Sequence, residues 1–249
     1  MKSTQRVLLE PAYLLHQRDW RDSSRIIELY SRDHGRVTLF AKGVRRAGSP
    51  YASLLQPFVP LLVSWSGNDD GGTFTGAELA GLPTPLAPAC LMSAFYLNEL
   101  ILRLLGREDP QPEVFEVYAL TLGSLGDPAG ESRALRLFEK RLLDAMGLGV
   151  DYASVVGTGQ RVEAHKYYNV RAERGVLGLA ERADGPHAVL GAALLSLAGE
   201  ELEDSASLAA ARRLLRDALV GPLEGRELST RQVARAVKTR RPVAEEPSG

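Results

Sequence analysis

Three cations, Lys42, Arg45 and Arg46, fall within five positions in the segment Phe40-Ala41-Lys42-Gly43-Val44-Arg45-Arg46. Such a cluster on a glycine-containing turn neutralises phosphates without reading bases, and an aromatic ring beside it can stack on an unpaired base. Phe40, Tyr51 and Trp65 are the rings close enough in sequence to serve if they face outward; buried, each is ordinary core. A second basic group, Arg212, Arg213 and Arg216, sits at helical spacing and would form a ridge along one side of a helix. Plain solvated surface is the competing interpretation of both groups.

The equipment for covalent chemistry is missing from the sequence. There is no Gly-x-x-x-x-Gly-Lys-Ser/Thr phosphate loop, no Gly-x-Ser-x-Gly elbow and no His-Glu-x-x-His pair, and Gly157-Thr158-Gly159 is too short for a dinucleotide fingerprint. His16, His34, His165 and His187 stand singly, Asp69-Asp70 lies between glycines as a turn, and the one cysteine, Cys90, opens an apolar helix. The expectation is a binding protein rather than an enzyme, with no cofactor and no metal. The 249 residues are 45% hydrophobic and 24% charged, the balance of a globular chain, and no apolar run reaches the length of a membrane-spanning helix. The polar N-terminus lacks an apolar signal core, so the expected location is the cytoplasm. Net charge is −1, but residues 205–241 carry nine Lys/Arg against three Asp/Glu, so basic faces survive on a near-neutral protein.

The cationic segment ends the third of five apolar, partly alternating runs: 7–17, 25–31, 35–42, 55–66 and 73–78. In the third, Val37, Leu39 and Ala41 share one face while Thr38, Phe40 and Lys42 share the other. Five strands in about 75 residues without a helical crossover predict an antiparallel barrel, the five-stranded oligonucleotide-binding (OB) fold first and an SH3-like barrel second. A linker with Pro83, Pro85 and Pro88 then introduces helical periodicity. Helices are predicted from Leu91 to about Gly106, with Leu91, Phe95, Asn98, Leu102 and Leu105 on the apolar stripe, over 114–125, and from 132 with Ser132 as cap and Leu135, Phe138, Leu142 and Met146 inward. Further helices are predicted over 188–202, 205–220 and 230–238. The fold class is α+β: an OB barrel over residues 1–80, then an α-helical domain over 81–241, with an irregular insert at about 150–187 and a frayed tail at 242–249.

The chain resembles the bacterial recombination mediator family RecO. The likeness is carried by Arg18-Asp19-Trp20-Arg21-Asp22-Ser23-Ser24 with Gly35-Arg36-Val37, by Ala41-Lys42-Gly43-Val44-Arg45-Arg46, and by Leu55-Gln56-Pro57-Phe58. It continues in Tyr96-Leu97-Asn98-Glu99-Leu100, Leu135-Arg136-Leu137-Phe138-Glu139 and Gly147-Leu148-Gly149-Val150, and so spans nearly the whole chain in order. It implies an OB barrel followed by helices, and a DNA repair protein that binds single- and double-stranded DNA and anneals complementary strands. It also implies work with RecR and help in loading RecA onto DNA coated with single-strand-binding protein (SSB), in the cytoplasm at the nucleoid and without ATP hydrolysis. Lys42, Arg45 and Arg46 match the family's basic DNA-contacting stretch, and Arg212 with Arg213 resemble its helical-domain basic pair. Arg136, flanked by Leu135 and Phe138, resembles the pocket for the acidic, Phe-terminated SSB tail, where the alternative is an ordinary exposed helix arginine. Many relatives carry a four-cysteine zinc module in the insert; here the stretch from Asp151 to Gly175 has no cysteine, so no zinc module is expected and Tyr152, Val162, Tyr167 and Tyr168 must hold it.

The mechanism these expectations suggest is a shared phosphate-neutralising platform built from the barrel rim and the C-terminal basic ridge. A general RNA-binding barrel protein and an interaction scaffold remain the rival functions.

Overall fold

The computed structural model describes residues 5–68, 71–83 and 85–240. Strands β1 (Gln5–Trp20), β2 (Ser24–Ser31), β3 (Gly35–Ala41), β4 (Pro60–Asn68) and β5 (Gly71–Leu79) close into a barrel of order β1-β2-β3-β5-β4. All neighbouring pairs are antiparallel except β3 with β5, and β4 returns to β1 to complete the ring. This is the five-stranded OB arrangement rather than the SH3-like one. Inward residues alternate along each strand as expected from the pleat, and Leu14, Ile27, Leu29, Leu39, Leu61 and Val63 fill the interior. Leu55 plugs the barrel from a one-turn helix, α1 (Tyr51–Leu54); this helix was not foreseen, and it delays β4 to Pro60 instead of Leu55. The Asp69-Asp70 turn and the tail 242–249 lie outside the described residues.

A short 3₁₀ turn at Pro88–Cys90 leads into α2 (Leu91–Leu104), α3 (Pro112–Ser124) and α4 (Glu131–Ala145). The buried residues of α2 are Ala94, Tyr96, Leu97, Asn98, Leu100 and Ile101, a stripe rotated by about one position from the predicted one, and Leu91 and Phe95 are partly exposed. The helix is apolar nearly all round because it packs on both barrel and helices, and periodicity alone then leaves its rotation undetermined. No side chain caps α4, which starts at Glu131 rather than Ser132. The insert forms a small sheet of β6 (Tyr167–Arg171), β7 (Gly175–Leu179) and β8 (Ala188–Leu190), in which Tyr152, Val162 and Tyr168 are buried whereas Tyr167 faces outward. Burial pushes the Tyr152 hydroxyl up to about 12. Helices α5 (Gly191–Ala198), α6 (Ser205–Ala218) and α7 (Ser229–Arg240) complete the chain, and α6 is capped by Asp204, which accepts from Ser207 N at 2.8 Å. None of the helices among the described residues is long and apolar enough to cross a membrane.

The barrel and the helices share a core. Tyr13, Leu15 and Tyr30 leave the barrel's outer face and pack against Phe115 and Tyr118 of α3, with ring centroids 5.0 to 6.1 Å apart. A bulge between Leu14 and His16 takes Leu15 out of the ladder, and its carbonyl accepts instead from Asn98 Nδ2 at 3.1 Å. Asn98 Oδ1 in turn accepts from the Tyr118 hydroxyl at 2.6 Å, so this buried amide joins strand, α2 and α3. Arg36 on β3 pairs with Glu28 and donates from Nη1 at 2.6 Å to each of the Leu102 and Leu105 carbonyls, where a cation offsets the unsatisfied end of α2. The turn before it is equally close: a Cβ on Gly35, whose φ is +65°, would lie 2.4 Å from the Asp109 carbonyl oxygen. Helices therefore cover one half of the barrel's outer face, and the half nearer Lys42 is left open.

Candidate nucleic-acid interface

Cross-strand register builds the open half. The outward residues run in rows: Trp20 opposite Ser24; Arg18 opposite Ile26 opposite Phe40; and His16 opposite Glu28 opposite Thr38. Side chains directly opposite one another on one face lie about 4.5–5.5 Å apart at Cβ, so each row is a contiguous strip. Trp20 and Phe40 are 42% and 41% exposed and meet edge to face, their centroids 6.4 Å apart. For two large aromatics, this exposure is what a stacking surface requires.

The cationic turn borders this pair. Gly43 has a φ of +70°, a conformation that favours glycine, and Arg46 N donates to its carbonyl at 3.0 Å, closing the turn. The turn is fastened to the β1–β2 connection by Arg45 N donating to Ser23 O at 3.0 Å. Lys42, Arg45 and Arg46 are all exposed beside the aromatic pair. Arg45 is partly neutralised, with Nη1 at 3.3 Å from Asp19 Oδ2, whereas Lys42 and Arg46 make no ion pair among the described residues. Of the three rings considered from sequence only Phe40 is on this surface. Trp65 is buried against His34, at 5.3 Å, and Tyr51 packs on Phe74, at 5.0 Å. Trp20 lies beyond the sequence-predicted first strand, which stops at Gln17; the two-residue alternation continues past His16 to Arg18 and Trp20 and is the signal for it.

The second basic group is arranged differently. Arg213 donates to the Pro186 carbonyl at 2.8 Å and the Ala188 carbonyl at 3.0 Å, so its guanidinium fastens α6 to the entry of β8. Arg212 is exposed and acts electrostatically on Glu139 of α4, as do Arg136 and Arg231. Helix α6 packs on α4 and α5, which places Arg212 with the Glu139 cluster.

That cluster surrounds a buried ion pair. Arg136 Nη2 lies 2.8 Å from Glu139 Oε1, which also accepts from the Tyr96 hydroxyl at 2.6 Å. Arg231 on α7 donates to that hydroxyl at 3.3 Å, with its guanidinium carbon 5.5 Å from the Tyr96 ring centroid. Arg136 is only 7% exposed, which excludes the ordinary surface arginine. Its Nε and Glu139 Oε2 are buried with no hydrogen-bond partner among the described residues. Burial pushes the Glu139 carboxyl above its ordinary range against the pull of Arg136. Phe138 has no exposed surface and packs on Tyr118, 6.3 Å away, so it cannot itself touch a docked peptide; Leu135 is half-buried. The cations near the pair that reach the surface are the exposed Arg212 and the half-buried Arg231, neither of which the motif around Arg136 announces. Helix α7 is held there by Glu99, which accepts from Ser229 N, Thr230 N and the Thr230 hydroxyl at 2.8, 2.9 and 2.8 Å.

Comparison with known proteins agrees with this architecture. The family model described as Recombination protein O N terminal matches residues 6–82, and that described as Recombination protein O C terminal matches residues 88–231. The two meet in the proline-bearing linker. Similar proteins named DNA repair protein RecO occur in Methylococcus capsulatus, 40% identical over 93% of this chain and 94% of the relative, and in Nitrosococcus oceani, 45% identical over 91% and 92%. A third, from Alkalilimnicola ehrlichii, is 43% identical over 97% of this chain and 98% of its own length.

Proposed function

The chain belongs to the RecO family of recombination proteins, with a role in DNA repair and recombination, and from that premise we propose that it binds DNA on the open half of its barrel and anneals complementary strands there. The observation that carries this reading is the exposed Trp20–Phe40 pair bordered by unpaired Lys42 and Arg46. Single-stranded DNA lies with its bases on the rings and its phosphates against the cations; duplex DNA engages the cations alone. Two complementary strands held against fixed positive charge repel each other less and sample pairing geometries faster. No step requires covalent chemistry, a cofactor or a metal.

The remaining parts of the reading concern partners. The chain works with RecR and helps load RecA onto SSB-coated single strands in the nucleoid. The acidic SSB tail docks beside Arg136, and exposed Arg212 with half-buried Arg231 supplies its carboxylates with donors while half-buried Leu135 offers apolar contact. Arg213 contributes to the fold of the helical domain rather than to a phosphate contact, because both of its terminal nitrogens already donate to backbone carbonyls. The basic groups then serve two sites, the rim for DNA and the helical cluster for the acidic tail, in place of one platform.

The test is annealing of complementary oligonucleotides, naked and SSB-coated, by the full chain. Lys42→Glu with Arg46→Glu is expected to abolish annealing of naked strands. Annealing at the unaltered rate would refute the assignment of the rim.

A further inference from the structure

Between the open aromatic pair and the helices, the barrel's outer face sinks into a cavity of about 310 Å³ lined by His16, Arg18, Ile26, Glu28, Thr38 and Arg107. We propose that this cavity seats a single nucleotide whose base carries an exocyclic amino group, cytosine or adenine, within the strand that crosses the Trp20–Phe40 pair; the proposal rests on the DNA face described above.

The lining divides into two chemistries. Arg18 comes from β1 and Arg107 from the loop after α2, and neither guanidinium makes a hydrogen bond or ion pair among the described residues. The loop carrying Arg107 is set by the barrel itself, through an isolated bridge between Arg36 and Arg107 and the bond from Glu108 N to Arg36 O at 3.0 Å. Two unpaired arginines fixed by separate elements suit a phosphate. The other lining groups do not. Glu28 takes both hydrogen bonds from Arg36 on Oε1, so Oε2 remains an acceptor that only an N–H or O–H can satisfy. Thr38 Oγ1 is buried and has no partner among the described residues. Ile26, nearly buried, gives an apolar wall in the strip between Arg18 and Phe40.

A free inorganic anion would meet the arginines but also the Glu28 carboxylate. A ligand that is anionic at one end and an N–H donor at the other satisfies both, and a nucleotide with an amino-bearing base has that polarity. Glutamate accepts from the cytosine amino group in the same way elsewhere in DNA recognition, whereas thymine presents a carbonyl at that position and would be repelled. The cavity shares the Arg18–Ile26–Phe40 strip with the aromatic pair, so a strand lying on the rings can turn one nucleotide into it without leaving the surface.

The probes are dCMP, dTMP and inorganic phosphate, titrated into the full chain by ligand-observed NMR, alongside a single-stranded oligonucleotide followed by fluorescence anisotropy. The expected result is dCMP binding about tenfold tighter than dTMP or phosphate, with Arg107→Ala and Thr38→Val each weakening it. On the oligonucleotide, Arg107→Ala should also flatten the salt slope by about 0.7, one phosphate contact. Equal binding of the three probes, or dCMP binding untouched by both substitutions, overturns the cavity assignment; if Phe40→Ala still weakens the oligonucleotide in that case, the DNA face stands without it. Oligonucleotide binding indifferent to Phe40→Ala and to Lys42→Glu removes the face and the cavity together.

Discussion

Phe40→Ala and Lys42→Ala should separate stacking from charge on one small surface. Phe40 is 41% exposed and its ring meets Trp20 edge to face, so it is available to a base without any rearrangement of the core. Stacking of one base on an aromatic is worth about 1–3 kcal/mol, so Phe40→Ala should weaken single-stranded binding by about 5- to 150-fold. That loss should be independent of salt, because no phosphate contact changes. Lys42→Ala removes one cation that has no ion pair among the described residues, which should reduce the slope of log affinity against log salt by about 0.7. Over a fourfold rise in salt, the parent protein would then lose about 2.6-fold more affinity than the variant. The fold should tolerate both changes. Losing the Trp20–Phe40 contact costs about 0.5–1.5 kcal/mol, and Lys42 is a solvent-facing side chain. Anisotropy of a labelled oligonucleotide at several salt concentrations gives affinity and slope together, with thermal unfolding as the control. Phe40→Ala binding as tightly as the parent, or shifting the slope as much as Lys42→Ala, would refute the division of labour.

The remaining expectations concern the helical domain. Arg212→Ala with Arg231→Ala should weaken an acidic, Phe-terminated peptide by about tenfold or more while sparing naked DNA, measured by calorimetry and anisotropy; Arg136→Ala is the poorer probe, since it strands the buried Glu139 and should cost about 3–5 kcal/mol of stability. Docking of α7 should depend on acid pH. Burial alone would raise the Glu99 carboxyl, but the Thr230 and Ser229 amides, the Thr230 hydroxyl and Arg103 outweigh it and hold it below its ordinary range. A depressed carboxylate stabilises the folded state above its unfolded pKa of about 4.3, and that contribution is lost as pH falls through the folded value. Glu99→Gln should therefore flatten the loss of stability on acidification below about pH 4.3, read by chemical denaturation across that range; an unchanged pH profile would show that Glu99 does not anchor the helix.

Local signals located most elements, and long-range packing explains where they did not. The β3 alternation correctly assigned Phe40 and Lys42 to the outer face because a half-buried strand writes its burial in every second residue. Helix α2 has no such contrast, and its rotation depended on Asn98 reaching the Leu15 carbonyl, a contact 83 residues away. The same holds for the motifs that suggested the family. Arg36, Phe58, Asn98 and Glu99 dock elements on one another: Arg36 on the end of α2, Phe58 on Phe95 with centroids 4.9 Å apart, Asn98 on β1 and Glu99 on α7. From sequence Arg136 resembles a pocket residue for the acidic tail, with an ordinary exposed helix arginine as the alternative, and neither reading gives its burial. It is buried because Glu139, Tyr96 and α7 close over it, and none of those partners follows from the spacing within α4. The Arg18–Arg107 pairing on the cavity likewise joins residues from two domains that only the fold brings together.

The central claim is that DNA lies on the open half of the barrel. Hydrogen exchange of the full chain with and without a single-stranded oligonucleotide tests it directly. The account predicts slowed exchange in residues 16–28 and 36–46, with α6 unchanged. Protection confined to α6 and the β6–β8 insert, with 36–46 exchanging as in the free protein, would contradict it.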